Sequence, residues 1–303
     1  MNSTPPASAR SPYRSVFRPG LFAGKVAIVT GGGSGIGRCT AHELASLGAR
    51  LALIGRKAEK LETVAAEIAA ACGGEARGFP CDIRDEAEVE ATVGRVIETF
   101  GRVDHLVNNA GGQYVAPLET ISQKGWETVV RTNLTGGFLM ARACYTRWMR
   151  AEGGAIVNIV ADMWRGMPGM AHSGAARAGM VNFTETAALE WAPANVRVNA
   201  VAPGWIASSG FDHYPAEMGD YFRTLARHVP LGRFGTEAEV SAAIVFLLSE
   251  AAAFITGATL RIDGAVPNTR SNWPLPERQT PAPAFEGFPL AQMPKVLRDP
   301  ETN

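Results

Sequence analysis

Residues 25–37, KVAIVTGGGSGIG, constrain the fold of this chain more than any other segment. The apolar run 26–29 is typical of a strand buried on both faces. Glycines follow it at once, and a helical pattern over 36–47 begins before they end. Glycine permits a sharp turn and a close approach of a ligand to the backbone, while the free N–H groups at a helix start attract phosphate. This order predicts a diphosphate cradle, and a glycine loop without a ligand is the alternative.

Predicted strands and helices alternate along the rest of the chain to about residue 264. The strand patterns cover residues 51–54, 77–81, 106–108, 155–160, 196–201 and 259–262. The helical patterns cover residues 58–72, 86–100, a long stretch through 126–150, 174–191 and 237–248. Such alternation implies right-handed crossovers between parallel strands. We therefore predict one α/β domain with a doubly wound, Rossmann-type parallel sheet, whose ligands bind beyond the carboxyl ends of the strands.

The two ends of the chain differ in composition from this domain. Residues 1–22 are rich in Pro, Ser and Arg and slightly resemble a transit peptide, but their prolines favour a surface arm. The predicted domain covers residues 23–266, and its aromatic-rich stretch at about 205–230 suits a substrate lid. Residues 267–303 are rich in proline and cannot form a core of their own. Their spaced aromatics favour an extended segment on this or a neighbouring subunit over disorder; they are Trp273, Phe285 and Phe288.

Charge and cysteine usage exclude several classes of partner. Lysine plus arginine and aspartate plus glutamate both number 29 in the 303 residues, so net charge indicates neither a nucleic-acid nor a membrane surface. The 4 cysteines have no metal-type or paired spacing, which predicts no metal site and a reducing compartment, most simply the cytoplasm. No apolar run reaches the length of a membrane span.

The loop after the second predicted strand indicates which dinucleotide binds. It reads Ile54-Gly55-Arg56-Lys57, with two cations where an NAD-preferring site usually carries an acid. A guanidinium can pair with a 2′-phosphate in a bidentate manner. We predict NADP(H), held by Arg56 with Lys57 beside it, and a solvated basic turn is the alternative. In the next loop Asp82, followed by Ile83, either holds the adenine amino group or caps the helix that begins at Glu86.

Ordered motifs along the chain resemble those of the short-chain dehydrogenase/reductase family. They are Thr30-Gly31-x-x-x-Gly35-x-Gly37, Asn108-Asn109-Ala110-Gly111, the Asn133 segment TNLTG, Ala202-Pro203-Gly204 and Ile255-Thr256-Gly257. The resemblance covers about residues 22–264. It implies cofactor contacts from Thr30, Gly31, Ser34, Gly35, Ile36, Gly37, Asn109, Ala110, Gly111, Pro203, Gly204 and Ile206. It also implies that Asn133 bends its helix and orders a catalytic water, and that a dimer or tetramer forms through the helices of Asn133 and Arg177.

The catalytic positions depart from the family pattern. Most members carry a serine after strand five and Tyr-x-x-x-Lys at the next helix start, whereas this chain reads Ala161-Asp162 and then Ser173 and Arg177. Carbonyl reduction needs a positioned acid, but conjugate reduction of an enoyl thioester passes through an enolate that hydrogen-bond donors can stabilise. Residues 172–179 resemble those of peroxisomal trans-2-enoyl-CoA reductases, and a Ser-x-x-x-Lys is found in the related 2,4-dienoyl-CoA reductases. The tyrosine taken as proton donor in the former is Val181 here.

We therefore expect an NADPH-dependent oxidoreductase that reduces the C=C bond of an enoyl thioester. The alternatives are a carbonyl or alcohol dehydrogenase, for example of a terpenol, and a catalytically impaired NADP-binding sensor or scaffold. The substrate in either enzyme is a small acyl or carbonyl compound.

Individual side chains have predicted roles in this reaction. Arg177 is a permanent cation for ribose hydroxyls or an enolate. Ser173 either donates to the thioester oxygen or is an ordinary N-cap. Tyr114, after a glycine pair, is the preferred acid, with its phenolate stabilised by Arg177. His172 and Asp162 are the rival proton donors.

Overall fold

Apolar, partly β-branched strands form the centre of the protein. The structure is a computed structural model that describes residues 12–213, 218–269 and 280–298. Within these ranges the strands are β1 (Val26–Thr30), β2 (Arg50–Gly55), β3 (Ala76–Pro80), β4 (His105–Asn108), β5 (Gly154–Ile159), β6 (Val196–Pro203) and β7 (Thr259–Ile262). They pair in parallel in the order β3-β2-β1-β4-β5-β6-β7. The predicted doubly wound sheet is confirmed.

Helices cover both faces of this sheet. They are α1 (Gly35–Ser46), α2 (Ala58–Cys72), α3 (Glu86–Phe100), α4 (Gln123–Val130), α5 (Gly136–Cys144), α6 (Arg150–Glu152), α7 (Ala171–Trp191), α8 (Gly219–His228) and α9 (Glu237–Leu248). The predicted bounds of α2, α3 and α9 are confirmed to the residue. The strand and helix ends differ elsewhere by up to about three residues, and α8 was not predicted.

The long predicted helix through residues 126–150 is interrupted twice. Between α4 and α5 the backbone forms a π-helical turn, Arg131–Thr135, and a second one, Tyr145–Met149, precedes α6. π-Helical turns are rare and often lie at functional sites. The first π turn, which includes Asn133, is therefore a candidate part of a functional site.

The core lies in two layers, one on each face of the sheet. β1 is fully enclosed, and its Ile28 pairs in register with Ala52 of β2 and Leu106 of β4. One layer packs α1, α2 and α9 against the sheet, and the other packs α3, α5 and α7. Strand order reverses direction between β1 and β4, which is the point at which doubly wound sheets open a crevice for ligands.

Several predictions fall on residues 1–11, 214–217, 270–279 and 299–303, including Trp273, and these lie outside the described residues. Across residues 12–213, 218–269 and 280–298, no helix combines the length and the apolar character needed to cross a membrane.

Candidate active site

The glycine loop after β1 has the close packing that a phosphate cradle needs. Gly31 and Gly35 have φ values of +65° and +55°, in the region that favours glycine. A Cβ added to Gly31 would lie 2.7 Å from Asn109 Nδ2, and one added to Gly37 would collide with the same amide. Side chains are thus excluded where the loop crosses the start of α1, and backbone N–H groups remain at the surface of the crevice.

Thr30 and Asn109 join the glycine loop to the loop after β4. Thr30 Oγ1 accepts hydrogen bonds from the N–H groups of Asn109 and Ala110, both at 2.9 Å. Asn109 Nδ2 donates in return to the Thr30 carbonyl at 2.9 Å. Two predicted cofactor segments are therefore held side by side at the switch point.

Arg56 and Lys57, after β2, are exposed, and Asp82, after β3, is paired within its own loop. The Arg84 guanidinium binds both oxygens of Asp82 at 2.5–3.1 Å, and these hydrogen bonds are the main cause that lowers the pKa of Asp82 to about 2. The charge of Arg56 lowers the pKa of Asp82 further.

The alternative that Asp82 caps α3 is wrong. Asp85 is the N-cap, and its side chain accepts the N–H of Glu88 at 2.9 Å. Asp82 is instead available at the mouth of the crevice with its charge offset by Arg84, while the neighbouring Ile83 is buried in the core.

Asn133 lies in the first π-helical turn, buried at the centre of the site. Its Nδ2 donates to the Gly112 carbonyl at 2.9 Å, and its Oδ1 accepts the Gly112 N–H at 2.9 Å. The same Nδ2 is 3.5 Å from Ser173 Oγ. The predicted bend at this asparagine takes the form of a π turn, and the amide is used to hold the glycine segment in place.

Ser173 is not an N-cap, because α7 begins two residues earlier, at Ala171, and Met170 occupies the cap position. The hydroxyl of Ser173 is fully buried and donates to Gln113 Oε1 at 2.6 Å. Gln113 was not among the predicted site residues, although its place directly after Gly111-Gly112 was the available signal. Ser173, Gln113 and Asn133 thus form one hydrogen-bonded group.

Arg177 is a buried cation one helical turn further along α7. Its Nη1 donates to the carbonyl of Ile159, the last residue of β5, at 2.5 Å, and a Cβ on Gly111 would collide with its Nη2. Burial lowers the pKa of Arg177 to about 10, so it remains charged at neutral pH. Among the described residues its Nε has no hydrogen-bond partner. A buried cation with an unused donor beside a glycine loop is suited to an anionic or hydroxyl-bearing ligand.

The proton-donor candidates Tyr114 and His172 pack against each other. Their rings meet edge to face with centroids 4.5 Å apart, and Tyr114 is 40% exposed. The Tyr114 hydroxyl lies over Gly125 of α4, where an added Cβ would collide with it. His172 Nδ1 accepts the Ser173 N–H at 2.9 Å, which leaves the ring hydrogen on Nε2. Within the described residues that buried Nε2 has no partner.

Asp162 lies between β5 and α7, near the end of β6. Its N–H donates to the Pro203 carbonyl at 3.3 Å, which ties this loop to the predicted nicotinamide turn at Pro203-Gly204. Burial and the neighbouring Asp263 carboxylate raise the pKa of Asp162, while Arg261 opposes them.

An apolar cavity of about 350 Å³ is lined by Met163 and Gly174, the chain neighbours of Asp162 and Ser173. Its lining comes from the loop after β5, from the first turn of α7 and from Leu118, whereas the sequence predicted a substrate lid at 205–230. The lining residues are Leu118, Met163, Gly166, Met167, Pro168, Gly169, Ala171, Gly174 and Ala175. Lid residues Ser209 and Asp212 line a different cavity, at the glycine loop.

Comparison with known proteins decides the family. A family profile described as enoyl-(acyl carrier protein) reductase matches residues 31–266. The chain belongs to the short-chain dehydrogenase/reductase family. This short-chain dehydrogenase/reductase is accordingly an oxidoreductase.

Its relatives carry different activities. It is 35% identical to the peroxisomal 2,4-dienoyl-CoA reductase of Danio rerio, over 86% of this chain and 87% of that protein. It is 59% identical to the citronellol catabolism dehydrogenase of Pseudomonas aeruginosa PAO1, with a TM-score of 0.76 over 84% of this chain and 99% of the other. A Beutenbergia cavernae protein, proposed to be an NAD(P)-dependent gluconate 5-dehydrogenase, is 35% identical with a TM-score of 0.77 over 83% and 100% of the two chains. Its structure contains NADP at low occupancy.

Members of this short-chain dehydrogenase/reductase family bind nicotinamide cofactors, and the residues present here fit one. The glycine loop is a cradle that side chains would fill, and it lies at the start of α1. The unused Nε of Arg177 lies further along the same crevice, beside Gly111. The two features are what a diphosphate at one end and a ribose and nicotinamide at the other would require.

Proposed function

We propose that this short-chain dehydrogenase/reductase is an NADPH-dependent reductase of a C=C bond conjugated to a thioester carbonyl. The observation that carries the proposal is the replacement of the usual phenolic acid by Ser173, hydrogen-bonded to Gln113, with Arg177 in place of the lysine. A serine hydroxyl is a good hydrogen-bond donor and a poor acid. It suits a reaction in which negative charge develops on an oxygen without that oxygen being protonated.

Each residue has a defined part in such a reaction. When bound, the reduced nicotinamide supplies a hydride to the β-carbon of the substrate. The Ser173 hydroxyl, turned from Gln113 toward the thioester oxygen, donates a hydrogen bond to the enolate that results. Arg177 stabilises the same charge through space, because a buried cation acts in a low dielectric. A proton then reaches the α-carbon from Tyr114, His172 or a water.

The proposed preference for NADPH depends on the adenosine end of the crevice. Arg56 and Lys57 are exposed there, and the negative charge of Asp82 is offset by Arg84. A 2′-phosphate would therefore meet two cations with little opposition from Asp82.

The substrate class follows from the apolar cavity and from one relative. Met163, Met167 and Leu118 would pack along a hydrocarbon chain, since methionine adapts its shape to irregular ligands. The Pseudomonas relative is named for citronellol catabolism, so a branched terpenoid acyl chain is the substrate we propose. The same 59% identity favours a second candidate, the interconversion of a terpenoid alcohol and its aldehyde.

A product analysis separates the two candidates. NADPH oxidation is followed with crotonyl, hexenoyl, decenoyl and geranoyl thioesters, and with geranial and citronellal. Mass spectrometry then distinguishes a thioester that has lost its conjugated double bond from an alcohol formed by reduction of the aldehyde. Turnover of thioesters with loss of the double bond supports the proposal, and turnover of aldehydes alone assigns the second candidate. Tight NADPH binding without turnover of either class would assign a sensor or scaffold.

We further propose a homodimer or homotetramer in a reducing compartment such as the cytoplasm. Trp126 and Phe138, on the helices that flank Asn133, are 38% and 36% exposed and would be covered by a second copy. Cys39, Cys72, Cys81 and Cys144 are all free thiols.

A further inference from the structure

The C-terminal segment 280–298 is anchored beside helix α1 and the start of α9. Arg14 N–H donates to the Gly287 carbonyl at 2.9 Å, and the rings of Tyr13 and Phe288 stack with centroids 5.9 Å apart. Phe288 is 3% exposed, and Arg38 of α1 lies over its ring at 5.3 Å. The segment 280–298 lies outside residues 31–266, the part that matches the family profile.

The far end of the same segment holds the lid. The N–H of Lys295 donates to Asp212 Oδ1 at 2.7 Å, and Asp212 lies in the 3₁₀ turn Ser209–His213. Val296 is 8% exposed and packs with Phe211 of that turn and Phe222 of α8. The segment therefore bridges α1 and the lid.

A cavity of about 440 Å³ separates this bridge from the glycine loop. Gly33, Ser34 and Gly35 line one side, and Gln292, Met293, Lys295 and Arg298 line the other. The lid is tied to the loop from a second direction, because the Glu237 carboxylate accepts the Ser209 N–H and its Oε1 is 3.8 Å from a Cβ built on Gly35.

We propose that residues 292–298 form the outer wall of the dinucleotide's phosphate site and hold the lid over it, so that this segment sets cofactor retention. The inference rests on the proposed function, in which the glycine loop binds NADP(H). The ligand chemistry is phosphate, either the diphosphate or the 2′-phosphate. Lys295 and Arg298 bring positive charge to a cavity that carboxylates also line, namely Glu59, Glu67, Asp212 and Glu237. Charge reversal at Lys295 would leave bound phosphate facing additional negative charge.

Two variants of the full-length protein test this. Val296→Asp places a charge among the aromatic residues of the lid, and we expect NADPH to dissociate about tenfold faster in stopped-flow fluorescence. Lys295→Glu keeps the backbone N–H to Asp212 and reverses the charge, and we expect NADPH affinity to fall about tenfold by calorimetry. Arg150→Glu is the matched control. Arg150 is exposed and lies just before β5, at the amino ends of the strands, opposite the glycine loop.

The cofactor used distinguishes the phosphates. A loss of affinity for NADPH alone assigns Lys295 to the 2′-phosphate, and an equal loss for NADH assigns it to the diphosphate. Unchanged binding and dissociation in both folded variants would overturn the inference while leaving the proposed function intact. If Val296→Asp fails to fold by circular dichroism, Lys295→Glu decides alone. A native protein that binds neither dinucleotide would overturn the proposed function and this inference together.

Discussion

The substitution Glu237→Gln should change how the stability of the protein depends on pH. Glu237 is the first residue of α9, 9% exposed, and burial raises its pKa to about 7 although the charge of Arg38 and the Ser209 N–H oppose this. The folded protein therefore holds this proton more tightly than the unfolded chain, in which a glutamate titrates near pH 4.3. The contribution of Glu237 to stability is therefore greatest below about pH 4.3. It falls as the pH rises to about 7, above which the loss is complete.

The size of this loss follows from the two pKa values. At about 1.4 kcal/mol for each pH unit between them, ionisation of Glu237 destabilises the folded protein by about 3.5 kcal/mol at pH 8 and by about 1 kcal/mol at pH 5. Glutamine keeps an acceptor for the Ser209 N–H and never ionises. The free energy of unfolding of Glu237→Gln relative to the native protein should thus rise by about 2.5 kcal/mol between pH 5 and pH 8.

Urea denaturation at the two pH values, with each curve followed by circular dichroism, measures this difference. Arg150→Gln is a control, since it also removes one charge but from an exposed site. Cofactor binding offers a second readout: phosphates beside Gly35 favour the protonated carboxyl, so NADPH affinity should fall from pH 6 to pH 8 in the native protein and vary less in the variant. An equal difference in stability at pH 5 and pH 8 would refute the assignment of a buried, near-neutral Glu237.

Three further predictions test the proposed site. Arg56→Asp should weaken NADPH binding by about tenfold to a hundredfold and improve NADH binding, as measured by fluorescence titration; equal affinities in the native protein would contradict the NADPH preference. Arg177→Ala should lower kcat/KM more than Ser173→Ala, for which we expect about tenfold, and normal turnover with normal cofactor affinity in Arg177→Ala would exclude its role. Tyr114→Phe should lower kcat by about tenfold or more at an unchanged melting temperature. If Tyr114→Phe has a normal kcat while His172→Gln loses its activity, the proton comes from His172. If both variants have a normal kcat, water supplies the proton.

The sheet and its main helices could be predicted because their signals are local. Buried parallel strands are short apolar runs. Asp85 and Thr236 are the N-caps of α3 and α9, and their side chains accept a hydrogen bond from the backbone of the first turn. The glycine loop could be predicted equally well, because glycine is the residue that fits where the backbone packs so closely.

The errors arose where a side chain had a choice of partners. Asp82 and Asp85 both precede α3, and sequence spacing could not show that Arg84 would pair with the first and leave the second as the cap. Ser173 looked like an N-cap because α7 starts earlier than its apolar pattern does. The contact of its hydroxyl with Gln113 joins residues 60 positions apart. Long-range pairings of this kind depend on the assembled fold and leave no periodic pattern in the sequence.

The position of the C-terminal segment also could not be predicted from the sequence. Its composition indicated an extended chain but could not say where that chain would lie. Phe288 packs beside α1 and Val296 beside the lid, and each contact requires a surface built from distant residues.

The two π-helical turns divide the long helix after β4 into parts whose side chains point in directions that differ from those of one continuous α-helix. Each such turn inserts about one residue into the α-helical repeat and so rotates everything beyond it by about 100°. The first turns Asn133 toward the site, and beyond the second α-helical stretch Tyr145 stacks flat on Trp191 at 4.3 Å. Deleting one residue from Arg131–Thr135 would restore a regular helix and swing buried Met140 out of the core while leaving the composition almost unchanged. The direction of the site amide and the packing of the helix are therefore set independently of each other.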